Sequence, residues 1–156
     1  MQMTRMTRLF IAASLVVLAS GCATRNMLND GSGGKAMLAG NDPVSYHTGP
    51  APIKGDPAIT AAWDGGTYRF ANADNRDLFT KSPEKYAPQY GGYCATGTAF
   101  GKKVPIDPSQ FKIVEGKLYL NNSAGAAKVF NSDVPGMIAK ANKQWITIEA
   151  VPADKL

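Results

Sequence analysis

Two tight-turn signals, each set between runs of strand-forming residues, constrain this chain more than any other feature. Residues 59–63 and 67–70 flank Asp64-Gly65-Gly66, and Phe111-Lys112-Ile113-Val114 and Lys117-Leu118-Tyr119-Leu120 flank Glu115-Gly116. Aromatic and β-branched residues favour extended backbone, and the acidic-glycine pairs accept the positive φ that a short hairpin turn demands. Two antiparallel hairpins are therefore expected, and each needs its apolar face covered. Helix signals supply the cover. Asn72-Ala73-Asp74-Asn75 opens a helix with Leu78 and Phe79 facing inward, and Ser82-Pro83-Glu84 opens a second as cap and first position. Residues 124–130 and 135–145 read as helical, with Met137, Ile138, Ala141 and Trp145 at helical spacing. Asp42 ahead of Pro43 predicts an N-capped short helix to about His47, with Tyr46 and His47 on its last turn.

The expected fold class is thus α+β: a small single domain of two β-hairpins packed against three or four short helices, behind a lipoprotein signal peptide. A length of 156 residues suits one core rather than two. The expected core is Trp63, Tyr68, Phe70, Leu78, Phe79, Ile113, Leu118, Leu120, Ile138 and Trp145, and no internal repeat is evident in the sequence.

Residues 1–21 read as the signal peptide. Arg5 and Arg8 form a positive end, and the 11 residues from Leu9 to Ala19 are largely apolar, which is short of the roughly 20 that a membrane-spanning helix needs. Leu18-Ala19-Ser20-Gly21-Cys22 resembles a lipobox, with Ala19 where leucine is usual, so Cys22 is the expected lipidation site. Ala23 after the cysteine, in place of Asp, favours the outer membrane, with the mature chain facing the periplasm. Several acyl chains make a lasting anchor where one does not. Residues 22–34 lack apolar periodicity and are rich in Gly, Ser, Asn and Asp, which predicts a flexible tether. The domain is expected over 35–148 and a mobile tail over 149–156.

The formal charge of +5 falls to 15 basic against 12 acidic side chains once Arg5 and Arg8 are removed. Apart from Lys102-Lys103 the lysines are scattered singly, so no stripe follows a phosphate backbone and nucleic acid is excluded as a partner.

Gln89-Tyr90-Gly91-Gly92-Tyr93-Cys94-Ala95-Thr96 holds the thiol that remains once Cys22 is capped. Two glycines allow close approach to that sulfur, and Tyr90 and Tyr93 flank it, so with Tyr46 and Asp42 they are candidates to line a site. A free cysteine also serves as a small buried apolar residue. Asp42 also reads simply as an N-cap, the tyrosines as packing residues, and His47 as a helix-terminal surface residue.

Taken in order, Asp42-Pro43-Val44-Ser45-Tyr46-His47, the hairpin from Trp63 to Phe70, Asn75-Arg76-Asp77-Leu78-Phe79, Pro83-Glu84-Lys85-Tyr86-Ala87-Pro88 and Gln89-Tyr90-Gly91-Gly92-Tyr93-Cys94 resemble a YHS domain of the exported, stand-alone type. The resemblance runs from about residue 35 to 145 and takes in Ile106-Asp107-Pro108 and Leu118-Tyr119-Leu120-Asn121. The family is named for a Tyr-His-Ser triplet, whereas Ser45-Tyr46-His47 carries those residues in another order. It implies a small α+β domain and a role in metal handling, because related domains accompany copper pumps and metal-dependent oxygenases. It implies no established reaction.

Thiolate with imidazole or thioether selects Cu(I), and the mature chain offers Cys94, His47, Met27, Met37 and Met137. A closed zinc site needs four ligands, which one thiol and one imidazole do not fill. The expected metal ligands are Cys94 and His47, with Cu(I) as the cofactor. The alternative is a non-catalytic envelope domain that binds a protein partner or small ligand, with Cys94 buried and structural. An enzyme is the third class. Thiol redox chemistry wants a second cysteine, and a Cys-His hydrolase needs contact between residues 47 positions apart.

Overall fold

Both turn signals form hairpins in the computed structural model, which describes residues 25–156. Strands β3 (Asp56–Trp63) and β4 (Gly66–Phe70) pair antiparallel with Trp63 opposite Gly66, so Asp64 and Gly65 make the turn at φ +48° and +74°. Strands β5 (Asp107–Val114) and β6 (Lys117–Asn121) pair with Val114 opposite Lys117, and Glu115 and Gly116 turn at φ +50° and +74°. Positive φ at both central residues gives the turn the twist of its strands. Gly66 is required for a different reason, since a Cβ there would lie 2.7 Å from Met37 Cγ.

A third hairpin stands where a tether was expected. Strand β1 (Met27–Asn29) pairs antiparallel with β2 (Lys35–Met37), Met27 opposite Met37. Between them the buried Asp30 carboxylate accepts the Ser32 amide (2.8 Å) and hydroxyl (2.7 Å) through Oδ1, and Oδ2 ion-pairs with Arg69 of β4. Arg69 also donates to Ser32 Oγ at 2.8 Å. Ahead of β1, Arg25 donates to the Asp64 carbonyl (2.8 Å), and its guanidinium bridges the Asp64 carboxylate (2.5 Å) and Glu149 Oε1 (3.3 Å). The packed domain therefore includes residues 25–34. The expected tether fails there because its polar residues hydrogen-bond to the domain rather than to water.

Six α-helices are present among the described residues: α1 (Ser45–Thr48), α2 (Ala73–Lys81), α3 (Pro83–Tyr86), α4 (Ala95–Ala99), α5 (Ala124–Ser132) and α6 (Val134–Ile148). The α+β class holds, with three hairpins where two were expected and six helices where three or four were. Side-chain caps open the longer helices: Asn72 Oδ1 accepts the Asn75 amide (2.8 Å), Ser123 Oγ the Ala126 amide (3.2 Å) and Asp133 Oδ1 the Gly136 amide (3.0 Å). Ser82 makes no such bond, and α3 starts on Pro83 alone. No helix among the described residues is long and apolar enough to cross a membrane.

The sequence shows no repeat, but the structure does. Hairpin β5–β6 reproduces β3–β4 pair for pair at an offset of 51 positions, including the irregularity that separates Asp56 from Thr60 and Asp107 from Phe111. At the same offset Asn72 and Ser123 cap the following helices, and Phe79 and Phe130 are their buried anchors. Ahead of the hairpins, Leu38-Ala39-Gly40 and Tyr90-Gly91-Gly92 each form a turn with positive φ at all three residues, 52 positions apart. One unit of left-handed turn, short helix, irregular hairpin and capped helix is thus used twice. The second unit continues into α6, the longest helix among the described residues.

Two apolar clusters result. The first includes Met37, Tyr46, Phe70, Phe79, Cys94, Leu118 and Leu120, and the second Tyr90, Tyr119, Phe130, Met137 and Ala141. Of the expected core, Tyr68, Phe70, Phe79, Leu118 and Leu120 are buried, and Trp63, Ile113, Ile138 and Trp145 pack half-buried at the edges. Leu78 is 45% exposed, because neighbouring helix residues point about 100° apart and Phe79 takes the inward direction. The expected tail is also held: Lys103 Nζ donates to the Glu149 and Val151 carbonyls, both at 2.7 Å, and Ala153–Lys155 forms a 3-10 turn.

Candidate functional site around Cys94

Cys94 is 1% exposed, carries a free thiol and sits immediately before α4. Its amide donates to the Val104 carbonyl at 2.9 Å and its carbonyl accepts the Thr98 amide at 2.8 Å, which fixes the backbone on both sides. Its Sγ accepts the Gly97 amide at 3.3 Å and faces Asn121 Oδ1 at 3.7 Å and Asn122 Oδ1 at 4.0 Å. Asn121 Oδ1 also accepts the Thr96 amide (3.3 Å) and lies 2.8 Å from Thr96 Oγ. The Thr96 hydroxyl is 2.9 Å from the Ala126 carbonyl too, and with one proton it serves one acceptor at a time. Sequence reasoning missed Asn121 and Asn122. Their place just ahead of the Ser123 cap was the available signal.

The repeat gives this arrangement a counterpart. Cys94 occupies the position of Asp42, 52 residues earlier, after the same left-handed turn. The Asp42 amide donates to the Ile53 carbonyl at 2.8 Å, as that of Cys94 does to Val104. Its carboxylate, fully buried, accepts the Val44 amide (2.8 Å) at the entry to α1, then reaches the entry to α2 at the Ala71 amide (2.9 Å) and Asn75 Nδ2 (2.7 Å). Cys94 likewise links the entry of its short helix to the segment before the next capped helix, where Asn122 stands in the place of Ala71. The first link has the same polarity, since both side chains accept an amide, and the second is reversed: Asp42 accepts from Ala71 and Asn75, whereas the thiol offers its one proton to Asn121 or Asn122. Asp42 is thus more than the expected cap: it ties two helix entries together.

The remaining candidates have other partners. His47 sits half-buried in α1 with its ring edge-on to Tyr86 at 5.4 Å, and its Nε2 is buried without a hydrogen-bond partner. Burial pulls the His47 pKa below its ordinary value and the nearby Lys85 charge adds to this, with the Tyr86 backbone opposing. Tyr46 donates to the Pro108 carbonyl at 3.1 Å and packs edge-on to Phe111, joining the first unit to the second. Tyr90 donates to Asn142 at 2.9 Å and packs on Tyr119 and Trp145. Tyr93 lies against Trp145, with the Lys103 ammonium over both rings at 5.4 and 5.3 Å. Burial raises the pKa of Tyr46 and Tyr90, so their hydroxyls remain protonated donors. Met37 and Met137 are core packing, and Met27 lies on β1.

The Cys94 sulfur meets Gly97, Asn121 and Asn122, whereas the His47 ring meets Tyr86. Among the described residues no three His, Cys, Asp or Glu side chains converge, so the donor set does not fit a closed four-ligand zinc site. Cys22 lies outside the described residues.

No family model matches the chain, and neither a curated protein nor a solved structure does. The likeness to YHS domains therefore rests on the residues quoted for it.

Proposed function

We propose that the chain is an outer-membrane lipoprotein, acylated at Cys22 and facing the periplasm, whose YHS-like domain binds a protein partner or small ligand without catalysing a reaction. In this reading Cys94 is structural. The observation that carries it is the equivalence with Asp42: both residues spend their side chain on the same link between helix entries. A side chain occupied in that way, at 1% exposure, has a packing role that accounts for it.

Copper handling is the second reading, and two observations favour it. His47 Nε2 is buried with its lone pair or proton unanswered, and burial favours the neutral imidazole that binds metal. The Cys94 thiol has neutral partners only, and a thiolate would keep the Gly97 N–H bond. Cu(I) would then be held by Cys94 Sγ and an imidazole nitrogen of His47.

Titration of the reduced protein with Cu(I) against a competing chelator separates the two. The structural reading expects no stoichiometric copper and no difference between wild type and His47→Ala. It also expects Cys94→Ser to lower stability by about 1 kcal/mol, because the shorter hydroxyl reaches the Gly97 amide and the Asn121 oxygen less well than the thiol does. One tightly held Cu(I), lost in Cys94→Ser and weakened in His47→Ala, would overturn it in favour of copper handling.

A further inference from the structure

Phe100 is held out from the domain on a fixed backbone. Its amide donates to the Gly97 carbonyl at 3.0 Å, and past it the Gly101 and Lys102 amides turn back to the Thr98 and Gly97 carbonyls, both at 2.9 Å, with Gly101 at φ +74°. The ring is 62% exposed at the end of α4 and borders an open groove of about 420 Å³, walled by Ala99 and by Lys140, Lys143 and Gln144 of α6. Residues three and four apart share one stripe of a helix, so these three α6 side chains stand side by side. The Lys140 ammonium lies 5.9 Å from the Phe100 ring centroid. An aromatic ring on a rigid support loses little freedom when it is covered, which suits it as an anchor for a partner.

The groove carries charge of one sign. Neither α4 nor α6 contains Asp or Glu; Asp133 caps α6 from in front, and Glu149, behind it, is paired with Arg25. Among the described residues neither Lys140 nor Lys143 has an ion-pair partner, and Lys102 is exposed two residues beyond Phe100. The complement is therefore anionic with an apolar part. Pockets for small molecules bury about 70–90% of what they hold, which an open groove walled by five side chains does not. Two lining lysines are also fewer than the roughly 4–8 basic residues that mark contact with anionic lipid. An extended chain segment fits better. Its alternate side chains lie on one face about 6.7 Å apart, close to the 5–6 Å or so between Cβ atoms one helical turn apart.

We propose that this groove is where the domain binds its protein partner, through an extended acidic segment that sets an apolar side chain on Phe100 and carboxylates two residues apart on Lys140 and Lys143. The inference rests on the partner-binding reading above, which the copper titration tests independently. The probe is an unlabelled peptide, capped at both ends, of sequence Ser-Leu-Ser-Glu-Ser-Glu-Ser. It is added to isotope-labelled protein of residues 22–156 with Cys22→Ser, which contains every described element. Amide resonances should shift at residues 99–102 and 140–144, with a Kd on the order of 1 mM because exposed ion pairs are individually weak. Raising salt from about 0.01 M to about 0.15 M shortens the screening length from about 30 Å to about 8 Å and should weaken binding several-fold. Lys140→Glu with Lys143→Glu should weaken it about tenfold or more, since attraction becomes repulsion at both sites, and Phe100→Ala several-fold. Thermal midpoints should not move, as all three side chains are exposed. No shift at about 10 mM peptide, ten times the expected constant, would overturn the proposal. Shifts elsewhere, indifferent to these substitutions, would overturn the groove and leave the partner-binding reading standing. Sedimentation with phosphatidylglycerol vesicles that the double lysine variant loses, without a response to the peptide, would overturn it in favour of a lipid surface.

Discussion

Asp42 shows how much a single side chain can organise. Fully buried, its carboxylate accepts from Val44, Ala71 and Asn75, joining α1 to the start of α2. Asp42→Ala orphans three donors, each worth about 1–3 kcal/mol when buried unpaired, so the expected loss is at least about 3 kcal/mol. Asp42→Asn keeps one oxygen and should fall between the two. Denaturant midpoints for the three proteins check the order, and an alanine variant within about 0.5 kcal/mol of wild type would refute the tie, since that is the scatter of ordinary surface changes. The sequence showed the local part of this role. An Asp before Pro43 signals a helix entry, but bonds to residues 29 and 33 positions away follow no local pattern. Cys94 is the same case: its place after two glycines was legible, whereas Asn121 and Asn122 come to it through the contact of β6 with Pro88 and Gln89, which no local pattern announces.

At the scale of elements, the first hairpin shows where composition misleads. Gly, Ser and Asp make a flexible coil, but they also make a turn in which an Asp side chain satisfies the backbone two residues on. Arg69, on a strand 39 positions beyond Asp30, decides between the two by pairing with the carboxylate. Burial alone would push the Asp30 carboxyl upward, but the Ser32 bonds, the Arg69 charge and the Gly34 amide outweigh it and hold the pKa below the ordinary 3.8. In the window below that value the unfolded chain binds the proton and the folded chain does not, so stability rises with pH there. The contribution is complete above about pH 4 and is lost as pH falls through the depressed pKa. Denaturation midpoints between about pH 2 and 6 should therefore fall on the acid side in wild type, and Asp30→Asn should flatten that limb. An unchanged acid limb in the variant would mean that Asp30 does not titrate as described. The two later hairpins were legible because their turns need positive φ at consecutive residues, which Asp-Gly and Glu-Gly announce.

For the whole molecule, the repeat is the organising fact, and it was hidden because several shared roles are filled by different residue types. Asp64 matches Glu115, Asn72 matches Ser123 and Asp42 matches Cys94, while Asp-Pro, one Gly, Tyr68 with Tyr119 and Phe79 with Phe130 stay the same. Geometry is reproduced where sequence is not. The domain boundary follows from packing in the same way. A chain beginning at Lys35 lacks β1, Arg25 and Asp30, leaving Arg69 with its ion-pair partner gone and β2 unpaired along one side. It should lose several kcal/mol of stability by thermal or denaturant melt, as removal of one partner from a buried ion pair costs about 3–5 kcal/mol. A chain beginning at Arg25 should melt like one beginning at Cys22. Equal melting of the two truncated chains would restore the tether.

Arg25 meets Glu149 across 124 positions, and a chain is made from its N-terminus at about 5–20 residues per second. That contact stays open for roughly 6–25 s after Arg25 has been added. The first unit can close around Asp42 well before then, but the edge ahead of β1 has no acidic partner from α6 to hold it. Asp64 holds Arg25 from 39 positions away, so that edge is fastened first to the β3–β4 turn and gains its second carboxylate only when α6 is complete. One guanidinium thus records two stages of closure, the hairpin turn first and the end of α6 last.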